Sequence, residues 1–108
     1  IASVELAEVF ALSDADFRSR FRKTALWRAK RRGLLRNAAI VLGNRPTEAA
    51  IPALTLGLND AEALVRGACA WALGQSAAAR ATAELRKRLA VEKDPAVGEE
   101  IGQALRSC

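Results

Sequence analysis

Asn59-Asp60-Ala61-Glu62-Ala63-Leu64-Val65-Arg66-Gly67-Ala68-Cys69-Ala70-Trp71-Ala72-Leu73-Gly74 is the stretch that decides the fold of this 108-residue chain. Asn59-Asp60 reads as a turn and cap, apolar residues then recur at helical spacing from Glu62, and Gly74 ends the run. The pattern repeats on both sides. Leu34-Leu35-Arg36 precedes Leu64-Val65-Arg66 by 30 residues and Ala96-Val97-Gly98 follows it by 32, while Leu42-Gly43 precedes Leu73-Gly74 by 31. Periods of this length belong to stacked supersecondary units, each of which buries its apolar stripe only against a neighbour.

Working outward, each unit reads as two helices. Glu48 to Leu58 carries Ile51, Leu54 and Leu58 on one stripe, and Pro52, tolerated only in a first turn, moves the helix start later than Glu48. Ala78 to Val91 turns Leu85 and Leu89 inward, and Asp94-Pro95 is a cap followed by proline at the first helical position. The last helix presents Val97, Ile101 and Leu105. Upstream, apolar residues run helically from Ala25 through Leu26, Ala29, Leu34, Leu35, Ala38, Val41 and Leu42 to a stop at Gly43-Asn44 and Pro46. Gly33 either divides that run or rides within it. Before it lie a segment from Val4 to Ala11 with Leu6, Val9 and Phe10, a capping-box-like Ser13 and Asp16, and Phe17 with Phe21 one turn apart. The expected fold is all-α: a short stack of antiparallel helix pairs, an α–α superhelix. Residues 1–33 are expected as N-terminal basic helices packing on the stack, and residues 34–108 as the repeats with a degenerate C-terminal cap. Phe10, Phe17 and Phe21 are expected to close the N-terminal end.

Composition agrees. Hydrophobic residues are 51% of the chain and aromatics 5%, with much Ala, which favours closely packed helices over a sheet. A chain of this size buries roughly 60–70% of its surface, enough for one core. The first residue is Ile1 and Met is absent, so a piece of a longer protein is expected. No signal-peptide pattern and no apolar run near the ~18 residues of a membrane span appear, so a cytoplasmic protein without membrane contact is expected. With no His and two Cys, the chain has no nucleophile–His pair, disulfide framework or complete metal site. No catalytic set is visible, so the chain is not expected to be an enzyme alone. Cys69 reads as a small core residue, as does Trp71. Trp27 reads as core in preference to a stacking surface, and Arg66 is expected to pair with Asp60 or Glu62.

Charge is the informative feature. Net charge is +5, and nine of seventeen basic residues fall between Arg18 and Arg36, a span without Asp or Glu. The remainder holds eight basic and twelve acidic residues. Arg28, Arg32 and Arg36 recur every fourth residue as one helical stripe, with Arg31 beside it. Like charges so placed cost about 0.2–0.5 kcal/mol per pair, which points to an external anion. Arg grips phosphate bidentately, and Lys23 and Lys30 add point charge, so a nucleic-acid backbone fits. The competing reading is a solvated basic face, or one paired with acids elsewhere in a parent protein.

Asp60, Val65, Arg66, Ala68, Ala72, Leu73 and Gly74 resemble the second helix of a short HEAT-like repeat, with Asp94, Val97 and Gly98 a degenerate copy. The run from Arg28-Ala29-Lys30-Arg31-Arg32-Gly33 through Leu34-Leu35-Arg36-Asn37 to Gly43-Asn44, with Phe17-Arg18 and Phe21-Arg22 before it, resembles the C-terminal region of the epoxyqueuosine reductase family. The likeness is good over about residues 12–75. It implies a parent oxidoreductase that reduces the epoxide of epoxyqueuosine in tRNA, in queuosine biosynthesis, with cobalamin and two 4Fe–4S iron–sulfur clusters. Those groups would lie upstream, with no cofactor or metal in this chain. This chain would then be a tRNA-binding and structural tail, with tRNA and the upstream domains as partners. By position, Arg28, Lys30, Arg31, Arg32, Arg36 and Asn37 match the family's basic motif, and Arg18 and Arg22 extend it. Asn37 and Asn44 are candidates for RNA contact or for satisfying helix-end backbone. The alternative is a HEAT-like protein-interaction module that binds no nucleic acid.

Overall fold

The computed structural model of the chain describes Phe10 and residues 27–107, the side chains of residues 27–29 excepted. The expected helices around Val4–Ala11, Phe17 and Phe21 lie outside the described residues, as does Cys108. Five α-helices follow one another among the described residues: α1 (Trp27–Asn44), α2 (Ile51–Leu58), α3 (Ala63–Gly74), α4 (Ala79–Leu89) and α5 (Pro95–Ser107). A 3-10 turn at Glu48–Ala50 leads into α2, which accommodates Pro52 in its first turn, where a missing N–H breaks no helical bond. The all-helical repeat stack read from the sequence is the observed architecture.

Two layers make the stack. Helices α1, α3 and α5 lie side by side as one row, with α3 packed on both others, while α2 and α4 form the second layer and pack on α3 and α5. The core runs between the layers: Leu35, Ala38, Ala39 and Leu42 from α1, Ile51, Leu54 and Leu58 from α2, Val65, Cys69 and Leu73 from α3, Leu85 from α4, and Val97 and Ile101 from α5 are all buried. Phe10 joins this core beside Gly57.

The repeated Leu-Gly has a packing cause. A Cβ on Gly43 would overlap the Trp71 ring and sit 3.0 Å from the Ala72 Cα, and one on Gly74 would sit 2.7 Å from the Ala104 Cβ. Each glycine lets one helix of the row close on the next, and Ala72 and Ala104 hold the same place in successive repeats. Asp94 caps α5 as the sequence indicates, its carboxylate accepting from the backbone N–H groups of Ala96 (2.9 Å) and Val97 (3.2 Å). Asp60, expected as a cap, accepts from the Glu62 N–H at 2.9 Å within the turn, and Glu62 takes the cap position of α3 without a side-chain bond.

Gly33, whose effect the sequence leaves open, rides within α1, so residues 33 and 34 share one unbroken helix. Leu89, expected inward with Leu85, is the last residue of α4 and is 41% exposed at the helix end. Val41 is 54% exposed on the side of α1 away from its neighbours.

Candidate nucleic-acid interface

Every candidate residue with a described side chain stands on α1, and α1 fixes where each points. With Leu35, Ala38, Ala39 and Leu42 buried, one face of the helix is spent on the core. At about 100° per residue, Arg32 and Arg36 fall on the flank turned toward α3, while Lys30 and Asn37 share a line about 100–120° further round than Arg36. The backbone register places Arg28 one turn before Arg32. Arg18 and Arg22 lie outside the described residues.

Arg31 is not part of that surface. It is 8% exposed, and its guanidinium forms a forked pair with Asp60, Nη1 donating to Oδ2 at 3.1 Å and Nη2 closing on Oδ1. Burial pushes the Asp60 carboxyl up, but the Arg31 hydrogen bond, the Glu62 N–H and the charges of Arg31 and Arg66 bring it below its usual value. A cation spent on this pair has no charge left for a phosphate, so the sequence-stripe expectation is corrected for Arg31. Arg32 keeps a loose 3.7 Å contact with Glu62, between side chains 45% and 31% exposed, and such an exposed pair is weak. Arg36 is exposed and has no carboxylate partner among the described residues; its Nη1 donates to the Asn37 Oδ1 at 3.3 Å.

The repeat makes Arg36 informative. Its counterpart Arg66 is locked, but to other partners than expected: Nε and Nη2 donate to the two oxygens of Glu92 at 2.9 and 3.0 Å, and Nη1 donates to the Asp60 and Ala61 carbonyls at 2.9 and 3.0 Å. Glu92 also accepts from Arg88 Nε at 2.9 Å and from the Asp94 N–H at 3.1 Å. The turns before α3 and α5 thus each offer an acid that takes an arginine from the preceding helix of the row, Asp60 from α1 and Glu92 from α3. Since Arg31 fills Asp60, Arg36 stays outside this chain of pairs.

Beyond Arg36 a groove of about 720 Å³ crosses α1, α3 and α5. Ile40, Leu64, Ala68 and the half-buried Trp71 make its floor, Arg36 and Asn44 stand at the α1 end, and Asp94 and Glu100 at the α5 end. Trp71 is therefore both core and surface, which its apolar helical neighbours did not reveal. Cys69 is wholly buried, and burial first, then Asp60, pushes its thiol up, so it offers no thiolate. Among the described residues no cluster of three or more His, Cys, Asp or Glu could hold a metal ion, and no helix is long and apolar enough to cross a membrane.

Known proteins bear on this geometry. A family profile of HEAT repeats matches residues 25–106. An uncharacterized protein in the gldA 3'region of Geobacillus stearothermophilus is 34% identical over 103 residues, 94% of this chain and 47% of that protein. Epoxyqueuosine reductase of Bacillus subtilis (strain 168) is 33% identical over 107 residues, 97% of this chain and 28% of the enzyme. The crystal structure of selenomethionine-labeled epoxyqueuosine reductase superposes with a TM-score of 0.76 at 31% identity, covering 94% of this chain and 28% of that one. The chain thus spans less than half the length of these relatives, and the likeness extends well past the residues whose motifs first suggested it.

Proposed function

The chain belongs to the HEAT-repeat family, and from that premise we propose that it serves as the tRNA-holding module of an epoxyqueuosine reductase-like enzyme. The observation that carries the reading is Arg36: exposed, uncompensated by any described carboxylate, and one turn from Arg32, while its repeat counterpart is fully paired. Arg32 and Arg36 stand one turn apart, at roughly 6 Å spacing, on one flank of a rigid helix, and Arg28 is proposed to extend them by one turn of the chain. Consecutive phosphates of an RNA strand lie at a comparable spacing, so a backbone resting along α1 meets one guanidinium after another. The proposed contact is to phosphates and shape in preference to base edges. Lys30 and Asn37, on the neighbouring line, would meet a second strand or the far side of a groove. The module works in the cytoplasm, beside the upstream domains of the longer protein.

The reductase chemistry is assigned to those other domains. A 4Fe–4S cluster takes four thiolates, and this chain has two cysteines, one buried with its thiol held protonated. A four-thiolate cluster does not fit these residues. What they supply is a place for the substrate RNA and a helical surface for their own parent.

Replacing Arg28, Arg32 and Arg36 together by Glu tests the reading. Binding of tRNA to the full chain is expected to be lost at moderate salt while helical circular dichroism persists. Unchanged RNA affinity in the triple variant, or affinity for the upstream domains alone, favours a protein-interaction module instead.

A further inference from the structure

Gly67 stands in the middle of α3, where glycine costs a helix about 0.5–1 kcal/mol relative to alanine. Its neighbours in the row explain Gly43 and Gly74 by close approach, but a Cβ on Gly67 would meet nothing within 4 Å. Packing inside the chain does not require this glycine. It lies one turn before Trp71 and one before it lies Leu64, 47% exposed, so the bare position opens the groove directly beside the indole. Trp71 is pinned at its edge by Gly43 and its remaining surface lines the groove.

We infer that this groove seats one unpaired nucleobase of the bound RNA, stacked on Trp71, with its phosphate on Arg36 and its amino-bearing edge toward Glu100. The inference rests on the phosphate-binding reading of α1 and adds what that reading lacks, a preference for single-stranded RNA. Charge at the two ends selects the occupant. Arg36, at the α1 end, attracts a phosphate. At the α5 end the Asp94 carboxylate is engaged with its own helix N-terminus, while Glu100 has no hydrogen-bond or ion-pair partner among the described residues. A carboxylate there repels a second phosphate but accepts from exocyclic amino groups. The backbone therefore stays along α1, and only a base reaches across the apolar floor. A volume of about 720 Å³ lies within the range of small-ligand sites and holds a nucleotide. Aromatic stacking is the usual way an unpaired base is held.

The test uses the full chain and two RNAs of equal phosphate number, a stem–loop with unpaired guanosines and a blunt duplex. The wild-type chain is expected to prefer the stem–loop by about tenfold, the scale of one stacked base. Gly67→Leu fills the groove from a position with room for a side chain, so the fold is kept; with it the preference should fall to near parity while duplex affinity and its salt dependence stay. Trp71→Ala should behave alike, and Trp71→Phe should keep most of the preference. An undiminished stem–loop preference in Gly67→Leu overturns the inference, as does a wild-type chain that binds both RNAs equally. Loss of upstream-domain binding in Gly67→Leu, with both RNA affinities untouched, would give the groove to a protein. Failure of either RNA to bind in a salt-dependent way is a different result, and sinks the phosphate reading beneath it.

Discussion

Glu92 shows how much one carboxylate does here. Its side chain is wholly buried between Arg66 and Arg88, joining α3, the end of α4 and the cap of α5. Burial pushes the acid up, but hydrogen bonds from Arg66, the Asp94 N–H and Arg88 hold it down, from an ordinary 4.5 to about 2. A folded-state value below the unfolded one means stability that is present above the unfolded value and disappears as pH falls through the folded one. The chain is therefore expected to lose stability through this group as pH falls from about 4.5 to about 2. Glu92→Gln should be less stable at neutral pH and flatter across that window, read by thermal unfolding at several pH values. Asp60→Ala should destabilise the chain by about 1–3 kcal/mol, since it removes the carboxylate forked on the buried Arg31 guanidinium. The sequence showed that Arg66 would find an acid but not which one. Asp60 and Glu62 are nearer in the chain; the stacking of α5 against α3 brings Glu92 closer in space.

Helices were the most legible level, because their signals are local. Asp94-Pro95, Pro52 and the apolar stripe of Ile51, Leu54 and Leu58 each depend on a few neighbouring residues, and each stands where the pattern placed it. Gly33 was ambiguous, since a glycine in a helical run is compatible with continuity or a break. In the fold it is solvent-side, with nothing within 4 Å of an added Cβ, whereas Gly43 touches Trp71 and Ala72. The two glycines should answer oppositely to the same change. Gly33→Ala is expected to stabilise the chain by about 0.5–1 kcal/mol through helix propensity. Gly43→Ala is expected to destabilise it by about 1–3 kcal/mol through overpacking of α1 on α3. Chemical denaturation of both variants checks this, and equal responses would contradict the unbroken α1 and its close contact.

Across the whole molecule, the repeat offset announced a stack, and the uneven charge announced a basic block on a mildly acidic body. What neither carried was the distribution of that block around α1. Spacing by four put Arg28, Arg32 and Arg36 on one stripe and Arg31 beside it, and only the turn acid Asp60 reveals that Arg31 is taken inside. The groove was equally hidden, because it is made by three helices far apart in sequence. The stack spends Arg31, Arg66 and Arg88 on its own turn acids and leaves Arg36 exposed, and the proposed function assigns that outward charge to RNA. The salt dependence of tRNA binding by the full chain tests that division most directly. Two to three phosphate contacts along α1 predict that the logarithm of affinity falls with the logarithm of salt at a slope of about −1.4 to −2.7, shrinking toward zero in the Arg28, Arg32 and Arg36 to Glu variant. A flat dependence in the wild-type chain, or the same slope in both, would contradict it.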